Sequence, residues 1–230
     1  MKLATRARGS RAHGGAGLVS ALMIFLGLPM AARGDTTREF WPELDLWVKL
    51  SKPARLLFTA AGTRNREDGD KTDATVAAYF DYGTSERVSL RAGYVYVRGL
   101  ATEPGETDSI ERRLVFDFNY RWRLSERAVL VDRTRLDLRD KADEDSWRLR
   151  NRLRLEYETK LRDVAVNPYA SLEAYYDSRH DSVSRYRFEA GTVIPSGRHL
   201  EWDIYVGRQR DSQSTNRYAN GIGLTLSFIY

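Results

Sequence analysis

Residues Arg113–Trp122 read RLVFDFNYRW, and the period of that segment decides the fold. Leu114, Phe116, Phe118, Tyr120 and Trp122 share one parity, while Arg113, Val115, Asp117, Asn119 and Arg121 share the other. Wound as a helix, the segment would scatter its charges all round the cylinder. Extended, with successive side chains on opposite faces, it divides into an apolar side and a largely polar side. Residues Trp147–Glu158 (WRLRNRLRLEYE) repeat the pattern, with Trp147, Leu149, Leu153, Leu155 and Tyr157 opposed to Arg148, Arg150, Arg152, Arg154, Glu156 and Glu158.

Working outward from these two runs, the same alternation occurs in Leu44–Leu50, Val76–Tyr82, Val88–Arg98, Ala170–Tyr176, Tyr186–Ile194, Leu200–Val206 and Ile222–Tyr230. Leu56–Arg64 and Val129–Arg139 are weaker; in the latter the apolar phase changes, and a β-bulge near Asp132 and Arg133 is expected to absorb the change. No segment after residue 35 has the period of a long amphipathic helix. Short connections (Ser51–Ala54, Thr84–Arg87, Arg123–Arg127, Pro195–His199) alternate with longer acidic, Gly- and Ser-rich ones (Asn65–Asp73, Gly99–Ile110, Asp140–Asp145, Ser178–Ser184, Asp211–Arg217). Thr159–Asn167 is long where a short turn is due. Short turns on one side and longer loops on the other are the arrangement of an outer-membrane barrel.

The expected fold is therefore all-β: one antiparallel transmembrane β-barrel over residues 35–230. Eleven runs can be counted. Single-chain bacterial barrels have even numbers, so about twelve strands are expected, with ten as the fallback. A soluble sandwich also alternates, but its apolar faces favour compact aliphatics for interior packing. Here Trp47, Tyr79, Tyr82, Tyr96, Tyr120, Trp122, Trp147, Tyr157, Tyr176 and Trp202 lie near strand ends, as interfacial girdles require. The last strand alternates Ile222, Leu224, Leu226, Phe228 and Tyr230 to a terminal aromatic. Leu224, Leu226, Phe228 and Tyr230 resemble the recognition strand read by the barrel-assembly machinery.

The first 34 residues are set aside as a cleaved signal peptide. Lys2, Arg6, Arg8 and Arg11 precede an apolar run, Leu18–Met30, and small residues at Ala32 and Gly34 suit cleavage before Asp35. The run is too short for a comfortable membrane-spanning helix, so a retained anchor is the lesser alternative. Five basic residues and no acidic one leave with this segment, taking the thirty-seven basic side chains to thirty-two against thirty-two acidic. A neutral mature chain gives no reason to expect a nucleic-acid partner. There is no cysteine, so disulfides and thiolate metal sites are excluded.

The stretches FWPELDLWVKL (40–50), RLLFTAAGTRNRE (55–67), DRTRLDLR (132–139) with SWRLRNRLRLEYE (146–158), NPYASLEAYYDSR (167–179) and RYRFEAGTVIP (185–195) resemble the bacterial family known as domain of unknown function 2490. The resemblance covers residues 38–230 and rests most on Arg-Asn-Arg-Leu and Tyr-Tyr-Asp-Ser-Arg. It implies an outer-membrane barrel without an established activity, so no catalytic role is carried across.

Arginine outnumbers lysine 31 to 6. Arg133, Arg135 and Arg139 share one phase of one strand and Arg148, Arg150, Arg152 and Arg154 one phase of the next, so a hairpin would align them as two columns facing the lumen. Guanidinium groups stack and bind carboxylates bidentately, which suits a dense wall. One reading is a narrow channel for small anionic solutes. The other is a closed structural or envelope-interaction barrel, in which the arginines pair with Asp117, Asp137, Glu156, Glu158, Glu173, Glu189, Glu201 and Asp203, all on lumen phases. A hydrolase is the least favoured reading, because serine needs an adjacent base and only His180 and His199 remain after residue 34, one in each kind of connection. Neither a catalytic set, a metal set nor a cofactor motif is legible. The expected protein is a non-enzymatic, porin-like barrel exported by the Sec pathway to the outer membrane of a Gram-negative bacterium, its partners being lipid, lipopolysaccharide and the assembly machinery.

Overall fold

In the computed structural model the Arg113–Trp122 alternation is part of a longer strand, Ser109–Arg123, and every other predicted run is likewise a strand. The structure describes residues 36–65, 71–101, 107–141, 144–214 and 217–230; the signal-peptide segment lies outside them. In chain order the strands are β1 (Thr36–Lys49), β2 (Ala54–Asn65), β3 (Lys71–Gly83), β4 (Val88–Leu100), β5 (Ser109–Arg123), β6 (Ala128–Lys141), β7 (Glu144–Tyr157), β8 (Thr159–Leu161), β9 (Val164–Asp177), β10 (Ser182–Ser196), β11 (Leu200–Asp211) and β12 (Tyr218–Ile229).

All but β8 join one closed barrel. Each strand pairs antiparallel with the next, β7 passing to β9, and β12 returns to β1. That last pairing is parallel, from Thr36↔Tyr218 to Trp47↔Ile229. The barrel thus has eleven strands, which corrects the expectation of about twelve. The eleven runs counted in the sequence are the eleven barrel strands, and the segment Thr36–Trp41 is the first part of β1. An odd ring of sequential hairpins leaves its first and last strands running the same way, so closure must use a parallel ladder. Backbone hydrogen bonds finish the seam beyond the strand end, Lys49 N–H to Tyr230 O at 2.7 Å and Tyr230 N–H to Trp47 O at 2.9 Å. Closure leaves the eleven-strand ring without an edge, and so without the exposed donors and acceptors that invite aggregation.

The long Thr159–Asn167 connection is explained by β8. Thr159, Lys160 and Leu161 pair with Val166, Ala165 and Val164, and Arg162 takes a positive φ of 57° in the turn. The segment is a small hairpin projecting from the short-turn end. The bulge expected in β6 is absent: its ladders to β5 and β7 run without interruption from Ala128 to Lys141. The register shift falls instead in β10, between Val183 and Arg185. Asp132 consequently faces outward, where Asn151 Nδ2 donates to its Oδ1 (2.7 Å) and to Thr134 Oγ1 (3.1 Å).

The outer face is a largely apolar belt, interrupted by the polar group of Asp132, Thr134 and Asn151. Phe40, Leu44, Phe58, Val76, Phe80, Leu114, Phe116, Phe118, Leu153, Leu172 and Ile222 all project there, Phe116 being 47% and Leu153 43% exposed. Aromatic pairs sit towards its rims: Tyr120 with Trp122 (4.7 Å between ring centroids), Trp147 with Tyr176 (5.4 Å) and His199 with Tyr230 (5.3 Å). Two of the ten aromatics assigned to the outer girdles belong inside instead. Tyr79 is buried, and Trp47 packs against the inner cluster of Leu57, Tyr79, Val95, Val97 and Val115. Both follow the phase of inward neighbours, Asp45 for Trp47 and Asp81 for Tyr79. Glycine makes room for bulk on the seam: a Cβ on Gly221 would lie 2.5 Å from the Trp41 ring, and one on Gly223 only 1.9 Å from that of Tyr205. Only a residue without Cβ lets those rings lie flat on the ladder.

Candidate functional site: the arginine wall of the lumen

The barrel surrounds a cavity of about 540 Å³, to which all eleven barrel strands contribute side chains. Strand alternation explains the lining. Once Leu136, Leu138, Leu149 and Leu153 point outward, Arg135, Arg139, Arg148 and Arg152 must point in. Hairpin register then sets the columns side by side: Arg133 stands directly opposite Arg152, and Arg135 opposite Arg150. Like charges directly opposed across a ladder are destabilising, so this wall needs compensating anions.

Carboxylates on β5, β6 and β9 supply them. At the long-loop end, Glu111 accepts from Arg139 through a very short Nε contact and from Arg113 at 2.7 Å. Asp177, fully buried, accepts from Arg139 Nη1 (2.9 Å), Arg148 Nη2 (2.6 Å) and Arg179 Nη2 (3.0 Å). Halfway down, Arg135 grips Asp117 with two parallel bonds of 2.6 and 2.8 Å, the fork geometry that lysine cannot reproduce. Glu173 is shared by Arg133 (2.6 Å) and Arg150 (3.1 Å), and Arg150 also reaches Asp137 at 3.8 Å. Towards the short-turn end Arg154 lies 3.5 Å from the Tyr169 ring centroid, pairs with Glu156 at 3.1 Å and extends to Asp203 at 3.7 Å.

The pairing is incomplete. Arg152 has no ion pair or hydrogen bond among the described residues, and the buried Nε atoms of Arg133, Arg152 and Arg154 and Oδ1 of Asp137 have no hydrogen-bond partner. A buried guanidinium nitrogen without a partner loses its hydration for nothing, at about 1–3 kcal/mol.

The structure thus places Arg133, Arg135, Arg139, Arg148, Arg150, Arg152 and Arg154 on one wall, together with Asp117, Asp137, Glu156 and Glu173. Leu224, Leu226, Phe228 and Tyr230 lie on the outward phase of the β12 segment. His180 and His199 sit in turns at opposite ends of the barrel. Sequence reasoning missed Glu111 and Asp177, whose parity matched Arg113 and Glu173 but which fell at or beyond the ends of the alternating runs. It also missed the apolar wall of β2–β5. Arg91 bridges the two walls, its guanidinium 5.3 Å from the Trp47 ring centroid and 5.5 Å from that of Tyr79.

The family described as a protein of unknown function, DUF2490, matches residues 38–220. No curated protein matches the chain. With the match covering most of its length, the chain belongs to that family.

Proposed function

We propose that this DUF2490 protein is a narrow outer-membrane channel for small anionic solutes, with β6 and β7 as its conducting wall. The observation that carries the reading is the lumen cavity lined by Arg133, Arg150, Arg152 and Arg154 within a closed barrel. Rings and ladders of guanidinium select anions by replacing the hydration they lose on entry.

The membrane setting is supported by the outer belt. Exposed apolar patches on soluble monomers rarely exceed a few hundred Å², whereas here a largely apolar face continues round the barrel. Strands of twelve to fifteen residues exceed the roughly 9–11 that cross a bilayer at a tilt. With the long loops outside and the short turns in the periplasm, lipopolysaccharide meets the loop rim, and export by the Sec pathway delivers the chain to the assembly machinery. Fractionation of the expressed protein with the detergent-extracted outer membrane is the expected result; a monomer soluble without detergent refutes the placement.

Folded protein in a planar bilayer should conduct with anion selectivity, and Arg150→Glu or Arg152→Glu should shift the reversal potential towards cations. Absence of conductance in protein verified as folded overturns the channel. One observation favours a second reading, a closed structural barrel: most lumen arginines are already held by carboxylates, and Arg154 with Asp203 bridges separate strands across the lower lumen. That reading predicts silence in the bilayer both for the native chain and for Arg154→Ala.

A further inference from the structure

The arginine wall occupies one side of the lumen. In the ring of eleven, β6 and β7 stand five places from β1 in either direction, so they face it across the barrel. The side they face carries carboxylates, together with Arg187 of β10, whose guanidinium lies 4.9 Å from the Trp41 ring centroid and 3.6 Å from Glu189. Glu43 and Asp45 of β1, Glu189 of β10 and Asp203 of β11 all line the cavity. Glu43 lies within electrostatic range of Asp45 and Glu189 on its own side and of Arg133 and Arg135 opposite. Asp45 is engaged with Thr59 at 2.6 Å and Asp203 with Tyr169 at 2.9 Å. Glu43 has neither a hydrogen bond nor an ion pair among the described residues.

Two groups of opposite type without a hydrogen bond or ion pair among the described residues therefore line the same cavity, the Arg152 guanidinium on one wall and the Glu43 carboxyl on the other. They do not meet each other. Beside Arg152, the partnerless Nε of Arg133 adds a second free donor. A plain anion at these guanidinium groups would satisfy them but would also feel the carboxylates opposite. A solute with a cationic group a few ångströms from its anionic group satisfies both walls together.

We infer that the mid-lumen is a two-point binding site for small dipolar solutes, with the carboxylate held by Arg133 and Arg152 and the ammonium group by Glu43 and its acidic neighbours. The inference rests on the channel reading for its access route, but binding is measurable without conduction. Aromatic walls favour compact molecules: Tyr205 of β11 and Tyr169 of β9 both line the cavity, and Trp41 stacks on Tyr205 with 6.3 Å between centroids. An amino acid of alanine's size fits this description better than an acidic oligomer, whose repeated negative charge these carboxylates would repel.

Saturation-transfer NMR on the full barrel in detergent tests this with alanine and lactate, which match in size but differ by the ammonium group. Alanine should give a saturable signal and lactate a much weaker one. Loss of one charge-assisted contact should weaken alanine about ten-fold or more in Glu43→Gln and in Arg152→Gln, while Glu43→Gln should strengthen lactate. Equal binding of alanine and lactate, or no binding of either, overturns the two-point site. Conductance of the same preparation in a bilayer separates the two failures: an anion-selective current without preference for alanine leaves the channel intact and removes only this inference. Should Arg152→Gln fail to fold, Glu43→Gln decides alone, because Glu43 has no partner to abandon.

Discussion

Removing the carboxylate of Asp177 should be the most damaging single change in the lumen. Its two oxygens receive Arg139 (2.9 Å), Arg148 (2.6 and 3.0 Å) and Arg179 (3.0 and 3.1 Å), as well as the backbone N–H of Arg179 (3.1 Å). The carboxylate side chain is completely buried, with those of Arg139 and Arg148 only 3% and 7% exposed. Asp177→Asn keeps the shape and deletes the charge, leaving guanidinium groups from three segments to repel one another without their shared anion. Breaking a buried pair in this way costs about 3–5 kcal/mol, or two to nearly four powers of ten in the folding equilibrium. Urea unfolding of the barrel refolded into detergent micelles, followed by tryptophan emission, reads that loss as an earlier midpoint. The internal control is Asp108→Asn, which frees Arg98 where the two side chains are 33% and 57% exposed and should cost at most about 1 kcal/mol. Molar salt should erase the control's effect and leave most of the Asp177 effect, since buried pairs are poorly screened. If Asp177→Asn unfolds no earlier than Asp108→Asn, the lumen network is not what holds the upper barrel together.

Two further outcomes test the outer face and the closure. Leu153→Arg puts a cation in the outward belt and should cost about 2–4 kcal/mol in lipid, read by urea unfolding in liposomes; a neutral result would place that face in water or against protein. Phe40→Cys with Ile222→Cys, directly paired on the outside of the parallel seam, should form an oxidised crosslink in a chain that has no cysteine of its own. Phe40→Cys with Phe228→Cys should not, and crosslinking of that second pair instead would overturn the parallel register.

Strand existence was legible because alternation of large apolar residues leaves no other face for them. Leu114, Phe116 and Phe118 determine their strand almost without context. Ring size was not, because the even-number rule derives from antiparallel closure and nothing in β1 or β12 announces a parallel one. Trp47 and Tyr79 were misplaced because aromatic residues suit either a membrane rim or a packed interior; only their parity with Asp45 and Asp81 distinguishes the two. The arginine columns could be read from phase and hairpin spacing, whereas their carboxylate partners depend on shear and side-chain reach. Glu111 lies opposite Lys141 in the ladder, yet it is Arg139 that it binds.

Net charge, treated as a sum, says nothing about where in the lumen an anion would be held. A barrel responds to arrangement instead: its strands are fixed sectors of a cylinder, so arginine concentrated in β6 and β7 stands across the lumen from the carboxyl groups of Glu43 and Asp45 on β1. Self-energy limits how far that separation can go. Each buried guanidinium needs an acceptor within reach, and most here have one, which is why Glu173 and Asp177 serve several partners each. Arg152, the Nε of Arg133 and Glu43 are therefore costly positions, as are Arg154 Nε, Asp137 Oδ1 and Asn220 Oδ1, in a network that pairs most of its other charges. Such local cost is what the two-point reading of the mid-lumen accounts for and a purely structural filling does not.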